Sequence, residues 1–197
     1  MKNTNYSAPF LNYLKQNTGK INDFEVLSLE IMQKFKVKEL KKNDFFVKEG
    51  QVCPSFCFVE KGILQHAITV LEEEKTTYLA LQNSVTSSLN SFLNQIPSRK
   101  SIKALTNVSL WIITLEDFKT LNQTNPAFHQ FYHNIIEKQI CLIDDYRIDL
   151  LTLTPEERYQ KLLLSEPHLL QEVPLHYLAS FLGISSRHMS RIRKNVK

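Results

Sequence analysis

The stretch Pro174–Lys194, P-L-H-Y-L-A-S-F-L-G-I-S-S-R-H-M-S-R-I-R-K, decides how the rest of the chain is read. Leu175, Leu178 and Leu182 recur at spacings of three and four, the inner face of a short helix. Ala179 is small enough to let a second helix cross close by. Gly183 falls where a helix ends on a left-handed residue, a conformation that glycine adopts without steric cost. Ser185 is placed to cap a second helix, from which Met189 and Ile192 face inward. That leaves Ser186, Arg187, His188, Ser190, Arg191, Arg193 and Lys194 outside. Two short helices around a tight turn, the second carrying arginines outward, form a helix-turn-helix whose basic face suits the major groove of DNA.

The plainer alternative is a helical hairpin with a solvated basic face. Charge distribution argues against it. From Arg187 onward the chain carries Arg187, Arg191, Arg193, Lys194 and Lys197 with no acid among them. Just upstream, Glu156, Glu157, Glu166 and Glu172 balance the sparse bases. Positive charge gathered on one short helix is the footprint of phosphate contact.

Working outward, 197 residues accommodate one medium domain and one small one, each with its own core. A hydrophobic share of 43% and a charged share of 22% are ordinary for a globular protein. The net charge of +4 is mild, so the placement of bases matters more than their total. No N-terminal apolar run resembles a signal peptide, and no apolar stretch is long enough to span a bilayer, so no membrane partner is expected. Cys53, Cys57 and Cys141 do not make an even, closely spaced disulfide framework. A reducing cytoplasm is the simplest location.

Residues 1–30 read as helical around a break at Gly19, with Phe10, Leu11, Leu14, Phe24, Val26, Leu27, Leu29 and Ile31 as apolar positions. From about Phe35 the pattern changes to short β-branched and aromatic runs, V-K-E-L-K-K-N-D-F-F-V-K-E-G, S-F-C-F-V-E-K-G-I-L-Q-H-A-I-T-V and T-T-Y-L-A-L. Asn43-Asp44, Gly50 and Gly62 punctuate them, and S-I-K-A-L-T and S-L-W-I-I-T-L continue the rhythm. Closely spaced short strands predict an antiparallel jelly-roll or sandwich.

Glu116-Asp117 opens a helical segment reaching about Leu150, with Asp117 complementing the helix dipole and Asn125-Pro126 kinking or restarting it. Over about 24 residues from Pro126 it extends about 36 Å. Its apolar residues cover more than one face, enough to pack on the β domain and to meet a second copy in a coiled-coil-like dimer. The alternative is a helix buried within a monomer. Helix-turn-helix proteins bind paired half-sites about 34 Å apart, which favours the homodimer. Thr154-Pro155-Glu156-Glu157 starts another helix, ending near Glu166-Pro167, and a hinge is expected near Leu151–Thr154. The expected organisation is α+β: an N-terminal antiparallel β-roll domain over 1–116, a long dimerisation helix over 117–150, and a helix-turn-helix domain over 151–197.

This order of parts resembles the cyclic-AMP receptor/fumarate-nitrate regulator (Crp/Fnr) family of transcription factors, over nearly the whole chain. K-K-N-D-F-F-V-K-E-G-Q, F-C-F-V-E-K-G-I-L-Q, T-P-E-E-R-Y and L-G-I-S-S-R-H-M-S-R-I carry the resemblance best. It implies a β-roll that binds an effector, a dimerising helix, and double-stranded DNA with a palindromic operator as partner, with RNA polymerase as a further one. It also makes Ser186, Arg187 and Arg191 the base-reading residues, and Ser185 and Lys194 phosphate contacts. With His188 and Ser190 these make up the candidate DNA-contacting set.

Two features depart from that pattern. Relatives that bind cyclic nucleotides carry a Gly-Glu pair and, after a spacer, Arg-Ser or Arg-Thr. Here the matching segment is T-S-S-L-N-S-F-L-N-Q-I-P-S-R-K-S-I, with Ser87 and Ser88 in place of the pair and the arginine displaced to Arg99. Ser87, Ser88, Arg99, Lys100 and Ser101 are the candidate effector-binding residues, with cyclic AMP an improbable ligand. The sequence also ends just after the reading helix, where many relatives continue into a backbone-contacting β-hairpin wing. Its lack is expected to lower affinity and leave the reading mechanism intact.

Other effectors fare worse. Three cysteines are too few for an all-cysteine iron–sulfur site in one subunit, and Cys53 and Cys57 read as buried structural thiols. His66 is the only candidate haem ligand in the roll. His129 and His133 share a helix face without an evident third metal ligand, so no metal or other cofactor is expected. With four glycines and no phosphate-cradling loop or nucleophile elbow, the chain does not read as an enzyme. The leading expectation is a DNA-binding transcriptional regulator whose roll senses a small molecule or only supports the dimer. The competing one is a sensor or adaptor with a vestigial helix-turn-helix.

Overall fold

The computed structural model describes residues 7–167 and 169–195; Lys197, counted above among the bases, lies outside them. Ser7 accepts the Phe10 amide at 3.1 Å and opens α1 (Ala8–Thr18), which Gly19 ends as foreseen, and α2 (Phe24–Lys34) follows. Phe10, Leu14, Ile31 and Met32 point from these helices into the main core.

The strands are β1 (Lys36–Leu40), β2 (Phe45–Val47), β3 (Phe56–Lys61), β4 (Leu64–Val70), β5 (Glu73–Ala80), β6 (Ser84–Thr86), β7 (Ser101–Ala104) and β8 (Val108–Ile113). They form two four-stranded antiparallel sheets, ordered β1-β8-β3-β6 and β2-β7-β4-β5, which is the predicted roll. Large side chains from both sheets, among them Phe58, Leu64, Ile102, Leu110 and Ile113, are fully buried, and Phe58 stacks on Phe10 of α1 with ring centroids 4.6 Å apart. Gly62, in the β3–β4 turn, has φ +90°, and a Cβ there would lie 2.5 Å from the Asn107 carbonyl oxygen.

Some elements differ from the sequence reading. The β4–β5 hairpin turns on Leu71 and Glu72 at φ 50° and 65°, positions where Asn-Gly is the usual signal. The strand therefore begins at Glu73 rather than Thr76, and its charged, exposed first half lies on the sheet edge, where charge discourages pairing with another chain. β6 and the short helix α3 (Leu89–Asn94) carried no periodic signal long enough to read. The long helical segment is two helices, α4 (Leu115–Thr124) and α5 (Pro126–Thr152). Buried Asn125 makes the restart. Its Oδ1 accepts the Phe128 amide at 3.0 Å, and its Nδ2 donates to the Leu27 carbonyl at 3.0 Å and to Glu30 at 2.9 Å.

Beyond α5 come α6 (Pro155–Ser165), α7 (Leu169–Glu172), α8 (Leu175–Phe181) and α9 (Ser186–Asn195). Thr154 and Glu157 form a full capping box at the start of α6. These helices build a second core that includes Ile63, Leu79 and Leu105 of the roll, so the C-terminal module is seated against its own β domain.

The two turn glycines separate strain from clash. Gly183→Ala meets no neighbour within 4 Å and should cost about 1–2 kcal/mol from its left-handed backbone alone. Gly62→Ala adds a collision with backbone and should cost about 3 kcal/mol or more. Urea denaturation of both variants measures the difference.

Candidate functional site

α8 ends in a double hydrogen bond across its C-terminus. The Gly183 amide donates to the Ser180 carbonyl at 3.1 Å, and the Ile184 amide donates to the Ala179 carbonyl at 2.9 Å. Gly183 takes the φ of +71° that this closure requires. Ser185 then accepts the His188 amide on its hydroxyl at 3.2 Å, as foreseen. Leu178, Ala179, Leu182, Met189 and Ile192 are all buried, so the two helices cross on the predicted face, with Leu175 half-buried at its edge.

The opposite face of α9 carries Ser186, Arg187, Arg191, Arg193 and Lys194 into solvent. Two of the sequence-predicted contacts are less free. His188 is half-buried, its Nε2 lying 3.1 Å from Glu156 on α6. Ser190 donates its hydroxyl to the Ser186 carbonyl at 2.9 Å. The His188 contact also holds Glu156 below the usual carboxylate range, after a larger effect from its own backbone amide at the start of α6.

In the roll, the serines of the candidate effector segment are buried and turned on each other. Ser87 donates to the Ser55 carbonyl at 3.0 Å and lies 3.4 Å from the Cys53 sulfur. Ser88 and Ser98 share a hydrogen bond of 2.8 Å, and Ser98 donates to the Lys100 carbonyl at 2.6 Å. Lys100 is half-buried, and burial lowers its ammonium below the usual lysine range. Arg99 stands in solvent, and the Ser101 hydroxyl accepts the Glu49 amide at 2.9 Å. The structure therefore gathers Ser87 and Ser88 with Ser55 and Ser98, which sequence reading did not single out, and leaves Arg99 apart.

Nearby on β4, His66 is 2% exposed, its Nε2 2.8 Å from the Thr86 hydroxyl and its ring edge-on to Tyr78 at 5.3 Å. Burial, reinforced by Lys100, holds it neutral, well below the usual histidine range. Nε2 of His66 is engaged by Thr86 on the adjoining sheet, while its buried Nδ1 has no hydrogen-bond partner. Cys53 and Cys57 are buried free thiols and Cys141 is exposed; burial raises the Cys57 thiol. His129 and His133 are exposed, and among the described residues no group of three or more His, Cys, Asp or Glu is arranged to hold a metal. Among the same residues no helix is long and apolar enough to cross a membrane.

α5 has two characters. Ala127, Phe128, Phe131 and Ile135 are buried, with Phe128 edge-on to Phe118 of α4 and Phe131 edge-on to Tyr13 of α1, whereas Ile140, Leu142, Ile143, Ile148, Leu150 and Leu151 are exposed.

Comparison with known proteins fits this arrangement. Residues 37–125 match the cyclic nucleotide-binding domain family. No curated protein matches the sequence. Among solved structures, a transcriptional regulator of the Crp/Fnr family from Eubacterium rectale is 17% identical, covering 97% of this chain and 87% of its own, with a TM-score of 0.67. A CooA variant from Carboxydothermus hydrogenoformans is 14% identical over 99% of this chain and 85% of its own, with a TM-score of 0.66. The catabolite activator protein of Thermus thermophilus is 19% identical over 92% and 86%, with a TM-score of 0.57. The chain has the fold of the Crp/Fnr transcriptional regulators, with a cyclic nucleotide-binding-type domain in its roll.

The residues present do not fit a cyclic nucleotide. Ser88 stands where a glutamate would take the ribose hydroxyls, and its own hydroxyl is committed to Ser98. Arg99 is turned to solvent rather than toward a phosphate. Cyclic AMP titrated calorimetrically into the protein should give no saturable heat, and should leave the melting temperature unchanged at millimolar concentration. Replacing the α9 cap, Ser185→Ala, should cost about 1 kcal/mol in urea unfolding.

Proposed function

We propose that the protein is a sequence-specific DNA-binding homodimer that regulates transcription, its roll answering to a small molecule other than cyclic AMP or serving as support for the dimer. The observation that carries this reading is α9. It is a capped helix anchored on Met189 and Ile192, with Arg187 and Arg191 one turn apart on its open face. An arginine presents paired donors that match the guanine O6 and N7 acceptors in the major groove, worth about 1–3 kcal/mol of discrimination per contact. Ser185 and Lys194, at the two ends of the same helix, are placed to hold phosphates, which set register without reading sequence.

Dimerisation supplies the second reading helix. Ile136, Ile140, Ile143, Arg147 and Leu150 succeed one another at spacings of four and three along α5, the seam of a two-stranded coiled coil. Ile140 is 61% exposed and Ile143 52%, so their apolar surface is free for a second copy. The fold is one of regulators rather than enzymes.

Selection from a random duplex library with purified protein at moderate salt should enrich a palindrome with half-sites one helical turn apart. Arg187→Ala and Arg191→Ala should each weaken binding to that site by about tenfold or more, at unchanged thermal stability. An unaltered Kd in both variants would favour the adaptor reading. Ile140→Asp with Ile143→Asp should give a monomer by sedimentation, and binding to the full palindrome should fall with it.

A further inference from the structure

The end of α8 is held from outside its own helix pair at three consecutive residues. The Ser180 hydroxyl accepts the backbone amide of Thr76, on edge strand β5 of the roll, at 2.8 Å. The Phe181 carbonyl accepts the Tyr146 hydroxyl of α5 at 3.1 Å, and the two rings stack at 5.9 Å and 19°. The Leu182 carbonyl accepts Arg158 Nη2 of α6 at 3.1 Å. Each bond comes from a different element, and the three elements converge on the residues just before the Gly183 turn.

Backbone accounting explains why the anchors fall here. The last carbonyls of a helix have no partner within it. The Ile184 and Gly183 amides satisfy Ala179 and Ser180, which leaves Phe181 and Leu182. Tyr146 and Arg158 take those two. Arg158 does more: its Nη1 also reaches the Leu150 and Leu153 carbonyls, each at 3.4 Å. One guanidinium thus joins the end of α5, the link to α6 and the helix-turn-helix turn. Lys161 and Asp149 bridge the same link at 2.5 Å. The segment 151–154, a hinge by its sequence, is spanned here by side chains on both sides.

We propose that Tyr146 and Arg158 are positioning residues for DNA reading. By holding the turn, they fix the reading helix relative to α5, and so fix the separation of the two reading helices in the dimer. This rests on the DNA-reading dimer proposed above. Neither residue touches DNA, since both are turned inward on carbonyls of the same chain. Their contribution is to spacing and not to base choice. A lysine cannot replace Arg158, because a single ammonium lacks the planar fork that serves several carbonyls at once.

Two measurements test this on the full-length chain, with Tyr146→Phe and Arg158→Lys as variants. The first is affinity for a panel of selected palindromes whose half-site separation is lengthened or shortened by one or two base pairs, beside a single half-site duplex. The unsubstituted protein should prefer one separation by about tenfold or more, and the variants by less than about threefold, with half-site affinity equal in all three proteins. The second needs no DNA. Nitroxides at Lys119→Cys and Arg193→Cys, in a Cys141→Ser background diluted with unlabelled protein, report the distance from α4 to α9. That distribution should be narrow, and should broaden in both variants. An unbroadened distribution in folded Tyr146→Phe, which loses only a hydroxyl, would overturn the inference whatever the DNA result. An unchanged spacing preference in both variants would overturn it too. Broadening in a protein that selects no DNA would leave the anchor standing and remove the DNA-reading proposal instead.

Discussion

The apolar contact between the roll and the C-terminal helices governs the rest of this molecule. Leu79 of β5, with Ile63 just before β4 and Leu105 just after β7, is buried in one cluster with Leu178, Ala179, Leu182 and Tyr159. Neither surface could be left bare without exposing a contiguous apolar patch, and together they make one core. That core brings α8 against the sheet edge, where the backbone amide of Thr76 finds the Ser180 hydroxyl. The orientation of α9 follows from α8 through a turn in which the carbonyls of residues 178–182 all have partners. The helix α9, joined to the body of the protein only through short links, is thereby tied to it.

The same sheet has a different chemistry on its inner side. On β4, Gln65 faces outward to Glu74 and Thr76, while its neighbour His66 faces inward to Thr86 and Tyr78. Alternation along a strand makes this unavoidable, and it places the roll interior one residue away from the module contact. The β4–β5 pairing is also irregular here, its register shifting between His66 and Ala67, where bulges typically re-aim side chains. The interior itself is closed by short internal bonds among serines, where a nucleotide-binding relative would hold an acid and an arginine. The roll matches the cyclic nucleotide-binding domain family, and the serines of this segment bond to one another and to nearby carbonyls.

Much of this was legible along the chain. The alternating and aromatic runs announced the strands, and the capping signals at Thr154 and Ser185 marked helix starts, because those bonds form between residues three apart. The inner and outer faces of α9 followed from a period of 3.6 and from the chemistry of the side chains. Gly183 was readable because few other residues adopt its backbone conformation. Less was visible where local rules were broken. Leu71-Glu72 turns a hairpin without the residues that usually do so, and α3 is too short to show a period. Asn125 left kink or restart open, since the choice depended on Leu27 and Glu30, nearly a hundred residues away.

The sequence by itself determined which elements form, which face of the last helix is basic, and that Ser87 and Ser88 cannot act as a glycine–glutamate pair. Those outcomes depend on side-chain chemistry and on neighbours within one turn. Only the tertiary structure decided that those serines would pair with Ser55 and Ser98, that His188 would lean on Glu156, and that Arg99 would stand apart from Lys100's interior. It alone brought Thr76, Tyr146 and Arg158 to three adjacent residues at the end of α8. Such contacts join segments up to 104 residues apart, and their partners are chosen by how two cores pack, which no local spacing encodes.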